Sequence, residues 1–93
     1  MSKVHFDLQI TGKVQGVWYR KSCRDTAIEM NLCGIVKNMP DGSVYCEAEG
    51  DIDNLIEFIA WCEAGPANAR VDKVLKITGP VKNYPDFSIV RSF

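Results

Sequence analysis

The stretch GKVQGVWYRKS, residues 12–22, sets two glycines four apart, with Lys13 between them and Arg20, Lys21 and Arg24 behind them. An alternating segment precedes it and a helical pattern follows. Glycine-bearing backbone laid over a helix N-terminus leaves N–H groups pointing outward, where the helix dipole favours an anion. Gly16 lets successive N–H groups converge into a concave nest. Arg20, in the first helical turn, can fold its planar guanidinium over the same point, and that fork matches phosphate or carboxylate oxygens. The competing reading is a simple turn, since glycines between strand and helix usually serve the turn and an arginine opening a helix is usually solvated. The spacing fits neither GxxxxGKS/T nor GxGxxG, so no nucleotide-loop signature decides between turn and cradle.

A second group able to do chemistry is Asn38. In GIVKN, Val36 should face the helices, and Asn38, two residues on, shares that face. Its amide can position a water beside a bound anion, or bond locally to shape the turn into MPDG. The loop has no Ser or Cys nucleophile beside a histidine; the one histidine, His5, belongs to the other face of its strand. Cys23, Cys33, Cys46 and Cys62 are widely spaced without a CxxC pair, which argues against zinc and for free thiols in a reducing compartment.

These groups can meet only if the elements carry them to one edge. Val4, Phe6, Leu8 and Ile10 alternate with His5, Asp7 and Gln9, as a half-buried strand over 4–10 requires. Helical spacing follows from about 20 to 30, with Cys23, Ala27 and Met30 inside and Ile28 near the margin; Asn31 suits a left-handed cap. Residues 33–38 and 43–49 flank the turn PDG as a hairpin. A second helix starts at the cap Asp51, buries a stripe of Ile52, Leu55, Ile56, Ile59 and Cys62, and stops at Gly65-Pro66. Val71, Val74 and Ile77 mark a less regular fourth strand, and a loop leads to the short segment FSIVR. This order predicts an α+β, ferredoxin-like split β-α-β sandwich, an antiparallel sheet with two helices on one face. The first two strands are then parallel with the third between them, which brings Asn38 to the same edge as the glycine stretch.

The chain has 93 residues, enough for one domain spanning 1–93. Its formal net charge of −1 gives no global field for nucleic acid or an anionic membrane, so any anion site must be local. The first residues lack the continuous apolar run of a signal peptide or membrane span, and the expected location is the cytoplasm. Nothing in the pattern demands more than a monomer.

GKVQGVWYR resembles the first signature of the acylphosphatases, a glycine, any residue, VQGV, any residue, an aromatic and arginine. GIVKNMPDGSVYCEAEG is similar to their second, built on Gly34, Val36, Lys37, Asn38, Gly42, Val44 and Gly50, and GPANARVDKV and YPDFSIVR resemble the family's last third. Ile35 departs from the pattern, which commonly has an aromatic there; strand parity turns it away from the nest. The resemblance implies hydrolysis of acyl phosphates to a carboxylate and inorganic phosphate, with no cofactor and no metal. Carried over position by position, Arg20 and the N–H groups of Gln15, Gly16, Val17, Trp18 and Tyr19 hold the phosphoryl oxygens, and Asn38 orients the attacking water. A carboxylate is already a good leaving group, so positioning and charge stabilisation suffice without a strong general acid. Trp18 could line the entrance, Tyr19 reads as a core anchor, and Lys13, Lys21 and Arg24 read as bystanders.

Two other functions fit the same topology. Sheets of this kind can bind RNA through aromatics on the open face, but here that face should carry His5, Asp7, Gln9, Tyr45, Glu47 and Glu49, whose carboxylates repel a phosphate backbone. A non-catalytic anion sensor would use the same nest; Asn38 separates it from a hydrolase, because a sensor has no need of that amide.

Overall fold

The computed structural model describes residues 3–91. Its elements run β1 (Lys3–Lys13), α1 (Tyr19–Glu29), β2 (Cys33–Asn38), β3 (Val44–Asp51), α2 (Ile52–Ala64), β4 (Arg70–Gly79) and β5 (Phe87–Ile89). The sheet order is β4-β1-β3-β2-β5. β3 lies antiparallel between β1 and β2, so those two run parallel as the split β-α-β reading requires. The sheet is not antiparallel throughout: β5 pairs parallel with β2, Val36 opposite Ile89, which makes it mixed.

Helix ends follow local chemistry. At the end of α1, Asn31 takes φ 58, while Leu32 N–H reaches Ala27 O and Asn31 N–H reaches Ile28 O. This is the Schellman closure that a left-handed asparagine permits. Asp51 caps α2 by accepting from Asp53 N–H at 2.9 Å.

Leu8, Ile10, Val36, Val44, Cys46 and Ala48 present one sheet face to Tyr19, Cys23 and Ala27 of α1 and to Leu55, Phe58, Ile59 and Cys62 of α2. The buried stripe of α2 differs from the expected one. Phe58 is fully buried, while Ile52 and Ile56 are 39% and 59% exposed. Leu55, Phe58, Ile59 and Cys62 form a cleaner i, i+3, i+4, i+7 set, and they leave Ile56 on the outer side. The uneven alternation of β4 also has a structural cause. Ile10 pairs with Val74 and Thr11 with Lys73, but Gly12 pairs with Val71, so Asp72 is bulged out and the parity resets. Val71 and Val74 thus share the inner face, and Ile77 lies exposed on the other. Gly12, at φ 128, accommodates the bulge where a Cβ would run into the Arg70 carbonyl.

The face without helices is not open at its centre. Residues 80–86 cross it and cover a charged cluster that the strand registry assembles from His5, Asp7, Glu47 and Glu49. His5 is 1% exposed, with Nδ1 2.8 Å from Glu49 Oε1 and Nε2 2.8 Å from Asp7 Oδ1 and 3.4 Å from Glu47. Glu49 also accepts the N–H groups of Lys82 and Tyr84 at 2.9 and 2.7 Å. Glu47 takes the Lys82 ammonium at 2.7 Å and the hydroxyls of Tyr45 and Tyr84. The expected solvated surface of carboxylates is instead a clasp. Among the described residues, no helix is long and apolar enough to cross a membrane.

Candidate active site

Between β1 and α1 the chain turns through Val14–Trp18 in an unusual conformation. Gly16 sits at φ 75 and Trp18, the N-cap of α1, at φ 66. Left-handed residues alternating with right-handed or extended ones point successive N–H groups to one side, the geometry of a nest. A tryptophan in this region is strained, whereas glycine is not. Unlike α2, α1 has neither a capping side chain nor an acidic residue in its first turn. Among the described residues, no backbone N–H from Gln15 to Tyr19 donates to a backbone carbonyl. Among the described residues, the positive end of α1 has no capping side chain or backbone acceptor.

That end opens on a cavity of about 400 Å3, lined by Val14, Gly16, Trp18, Tyr19 and Arg20 on one side and by Asn38 and Ile89 on the other. A recess of about 100 Å3 is bounded by Arg20, Asn38, Val90 and Arg91. Parallel β1 and β2 are what bring Arg20 and Asn38 together. Asn38 Oδ1 is buried and has no hydrogen-bond partner among the described residues, an arrangement that ordinarily costs about 1–3 kcal/mol. Asn38 therefore forms no bond through that oxygen to shape the turn.

The cations around the cavity differ in what they face. Lys21 and Arg24 line it but are paired with Asp25 at 2.9 and 3.2 Å, and Lys21 followed by Arg24 holds the Asp25 carboxyl below its usual range. No carboxylate among the described residues lies within ion-pair distance of Arg20. Lys13 is exposed and outside the lining. Tyr19 anchors the loop: it is buried, donates its hydroxyl to Cys62 O at 2.8 Å and leans on Trp61. Burial pushes its phenol well up, so it stays protonated. Trp18, 73% exposed, stands at the mouth.

Of the residues singled out from the sequence, Gly16, Trp18, Tyr19, Arg20 and Asn38 line one cavity. The side chains of Gln15 and Val17 do not: Val17 packs on the core, and Gln15 reaches across to the β2–β3 turn. The periodicity gave no sign of Ile89 and Arg91. β5 pairs Ile89 with Val36, and Arg91, two residues beyond, borders the recess with Asn38. The similarity of YPDFSIVR to the family's last third was the only signal that pointed to this segment.

The family model that matches is that of acylphosphatase, over residues 6–89. An acylphosphatase of Methylococcus capsulatus is 40% identical over 95 residues, covering 98% of each chain. Among solved structures, an acylphosphatase from Coxiella burnetii superposes with a TM-score of 0.92 at 35% identity, over 95% of this chain and 93% of that one. The acylphosphatase from Bacillus subtilis gives 0.91 at 30% identity, over 94% and 98%.

Proposed function

The chain belongs to the acylphosphatase family, and from that premise we propose that it hydrolyses acyl phosphates at the uncapped end of α1, with Arg20 and Asn38 as the groups that act. The family's reaction cleaves the carboxyl–phosphate bond: water adds to phosphorus, the acyl oxygen–phosphorus bond breaks, and the carboxylate leaves with the electron pair. The proton of the water passes to the phosphate formed or to solvent. The N–H groups of Gln15, Gly16, Val17, Trp18 and Tyr19, with the Arg20 fork, hold the phosphoryl oxygens and stabilise their charge without reorganising. Asn38 Oδ1 accepts a hydrogen from the attacking water and fixes its line of approach. No metal is needed, because Arg20 and the helix end supply the positive charge, and a carboxylate departs without a general acid.

The observation that carries this reading is the buried Asn38 oxygen, without a partner among the described residues, beside that helix end. A pure anion sensor would have no use for an acceptor there, since an acceptor repels phosphate oxygens. The test is hydrolysis of benzoyl phosphate by the purified protein in the presence of chelator. Arg20→Ala should lose phosphate affinity and turnover by on the order of a hundredfold, the scale of one oxyanion donor. Asn38→Ala should lose turnover by a similar factor and keep its affinity for inorganic phosphate. No hydrolysis by folded protein, or an Asn38→Ala variant of full activity, would sink the proposal.

The same reading takes the chain as a cytoplasmic monomer of one domain that binds no nucleic acid. Its four thiols are free, as suits a reducing compartment. Against RNA stacking, Lys37 lies over the Tyr45 ring, Tyr84 stacks on His5, and Glu47 sits beside both hydroxyls. Light scattering on the purified protein tests the monomer.

A further inference from the structure

The Gln15 carboxamide is the bridge between the two halves of the site. Its Nε2 donates to Met39 O at 2.8 Å and to Ser43 O at 2.9 Å, using both amide hydrogens on one turn. Those two carbonyls flank the β2–β3 connection, and Met39 directly follows Asn38. The turn closes without Gln15: Met39 N–H donates to Ser43 O at 2.8 Å, Gly42 N–H to Met39 O at 3.1 Å, and Asp41 accepts from the Ser43 N–H and hydroxyl. What Gln15 adds is therefore not the shape of the turn but its place relative to the loop that holds phosphate. Among the described residues nothing bonds Asn38 Oδ1 to hold it, so its position follows that of the backbone to which Met39 belongs.

We propose that Gln15 is a positioning residue for the hydrolysis, setting through its side chain the distance between the phosphate-holding backbone and the water-orienting amide of Asn38. This role rests on the acyl phosphate reading of the site, and it is separate from that of the Gln15 backbone N–H. A displacement of a reacting group by a fraction of an ångström lowers turnover while leaving ground-state binding intact. The bridge is thus expected to act on kcat and not on phosphate affinity.

Gln15→Met keeps the length of the side chain and removes both donors. It should lower kcat for benzoyl phosphate about tenfold, the scale of one lost hydrogen bond of positioning, with the inhibition constant of inorganic phosphate unchanged within about twofold. The decisive measurement is the same substitution in an Asn38→Ala background. If Gln15 acts through Asn38, kcat there should fall by less than about twofold, because coupled residues are not additive. A second variant, Gln15→Asn, keeps the amide but is one methylene short and should show the same pattern more weakly. Equal kcat losses in both backgrounds, a parallel loss of phosphate affinity, or no kcat loss would overturn the assignment. So would failure of both variants to fold, which would make Gln15 a structural brace. Wild-type turnover is the control: its absence would remove the acyl phosphate reading itself, and is distinguishable from any of these outcomes.

Discussion

His5 should make the protein most stable at mildly acidic pH and weaken it as the solution turns alkaline. Both ring nitrogens lie 2.8 Å from carboxylate oxygens, and an ionised carboxylate can only accept, so the geometry suits the imidazolium, in which both nitrogens carry hydrogen. Burial pulls its pKa down, but the bonds from Glu49 and then Asp7 outweigh this and raise it above 6.5. Burial would likewise raise Glu47 and Glu49, yet Lys82, the tyrosines, His5 and the backbone donors bring both below 4.5. A raised histidine contributes stability that is complete below its unfolded pKa of 6.5 and is lost as pH rises through the folded value. The depressed glutamates contribute stability that is present above 4.5 and lost on descending through their folded values. The plateau from this cluster lies between the two. Losing the charge weakens the bond within the His5–Glu49 pair, both about 1% exposed, where a charge-assisted hydrogen bond is worth about 1.5–3 kcal/mol. The Asp7 side is a third exposed and adds little once screened. The neutral ring keeps one N–H, so this is an upper bound, at most roughly 6–24 °C in Tm for a domain of this size. His5 is the only histidine, so its ring proton resonances can be followed through a pH titration without assignment. A midpoint above 6.5, a Tm that declines from pH 6 to 9, and a flattened decline in His5→Gln are expected. A midpoint at or below 6.5, or an unchanged slope in His5→Gln, would refute the reasoning.

Two further substitutions probe the loop and its rim. Gly16→Ala introduces no clash but places a Cβ at φ 75, so it should destabilise by about 1 kcal/mol and weaken inorganic phosphate in an inhibition assay. Unchanged affinity would mean that the nest does not depend on this conformation. Arg91→Ala removes an exposed charge from the recess shared with Arg20 and Asn38; KM for benzoyl phosphate should rise about two- to fivefold at low salt, and the difference should shrink at high ionic strength.

What the sequence made legible is what local chemistry encodes. The period-two run at Val4–Ile10, the asparagine stop of α1, the Asp51 cap and the PDG turn each announce themselves within a few residues. Asn38 could be placed near Arg20 because parity and topology together decide it. The features that escaped depend on partners far away in the chain. Phe58 rather than Ile56 meets the sheet where α2 packs on it, and the Asp72 bulge exists only against Gly12. His5 reads as a surface residue until Lys82 and Tyr84 arrive to cover it. Arg91 joins the site through the parallel pairing of a three-residue strand, too short to show any period. Gln15 reads as one residue of a glycine loop, because nothing local reveals that its amide reaches the turn.

The sheet order also sets the sequence in which the molecule can be made. β1 lies between β3 and β4, and its pairing of His5 with Gly79 spans most of the chain. During synthesis its outer edge has no neighbour until residues 70–79 emerge, and β5, which carries Ile89 to the cavity, emerges later still. Closing such distant pairs costs chain entropy before the contacts reward it, which slows folding relative to a domain of local contacts. Of the described elements, the one that brings Ile89 to the cavity wall is synthesised after those that carry Arg20 and Asn38.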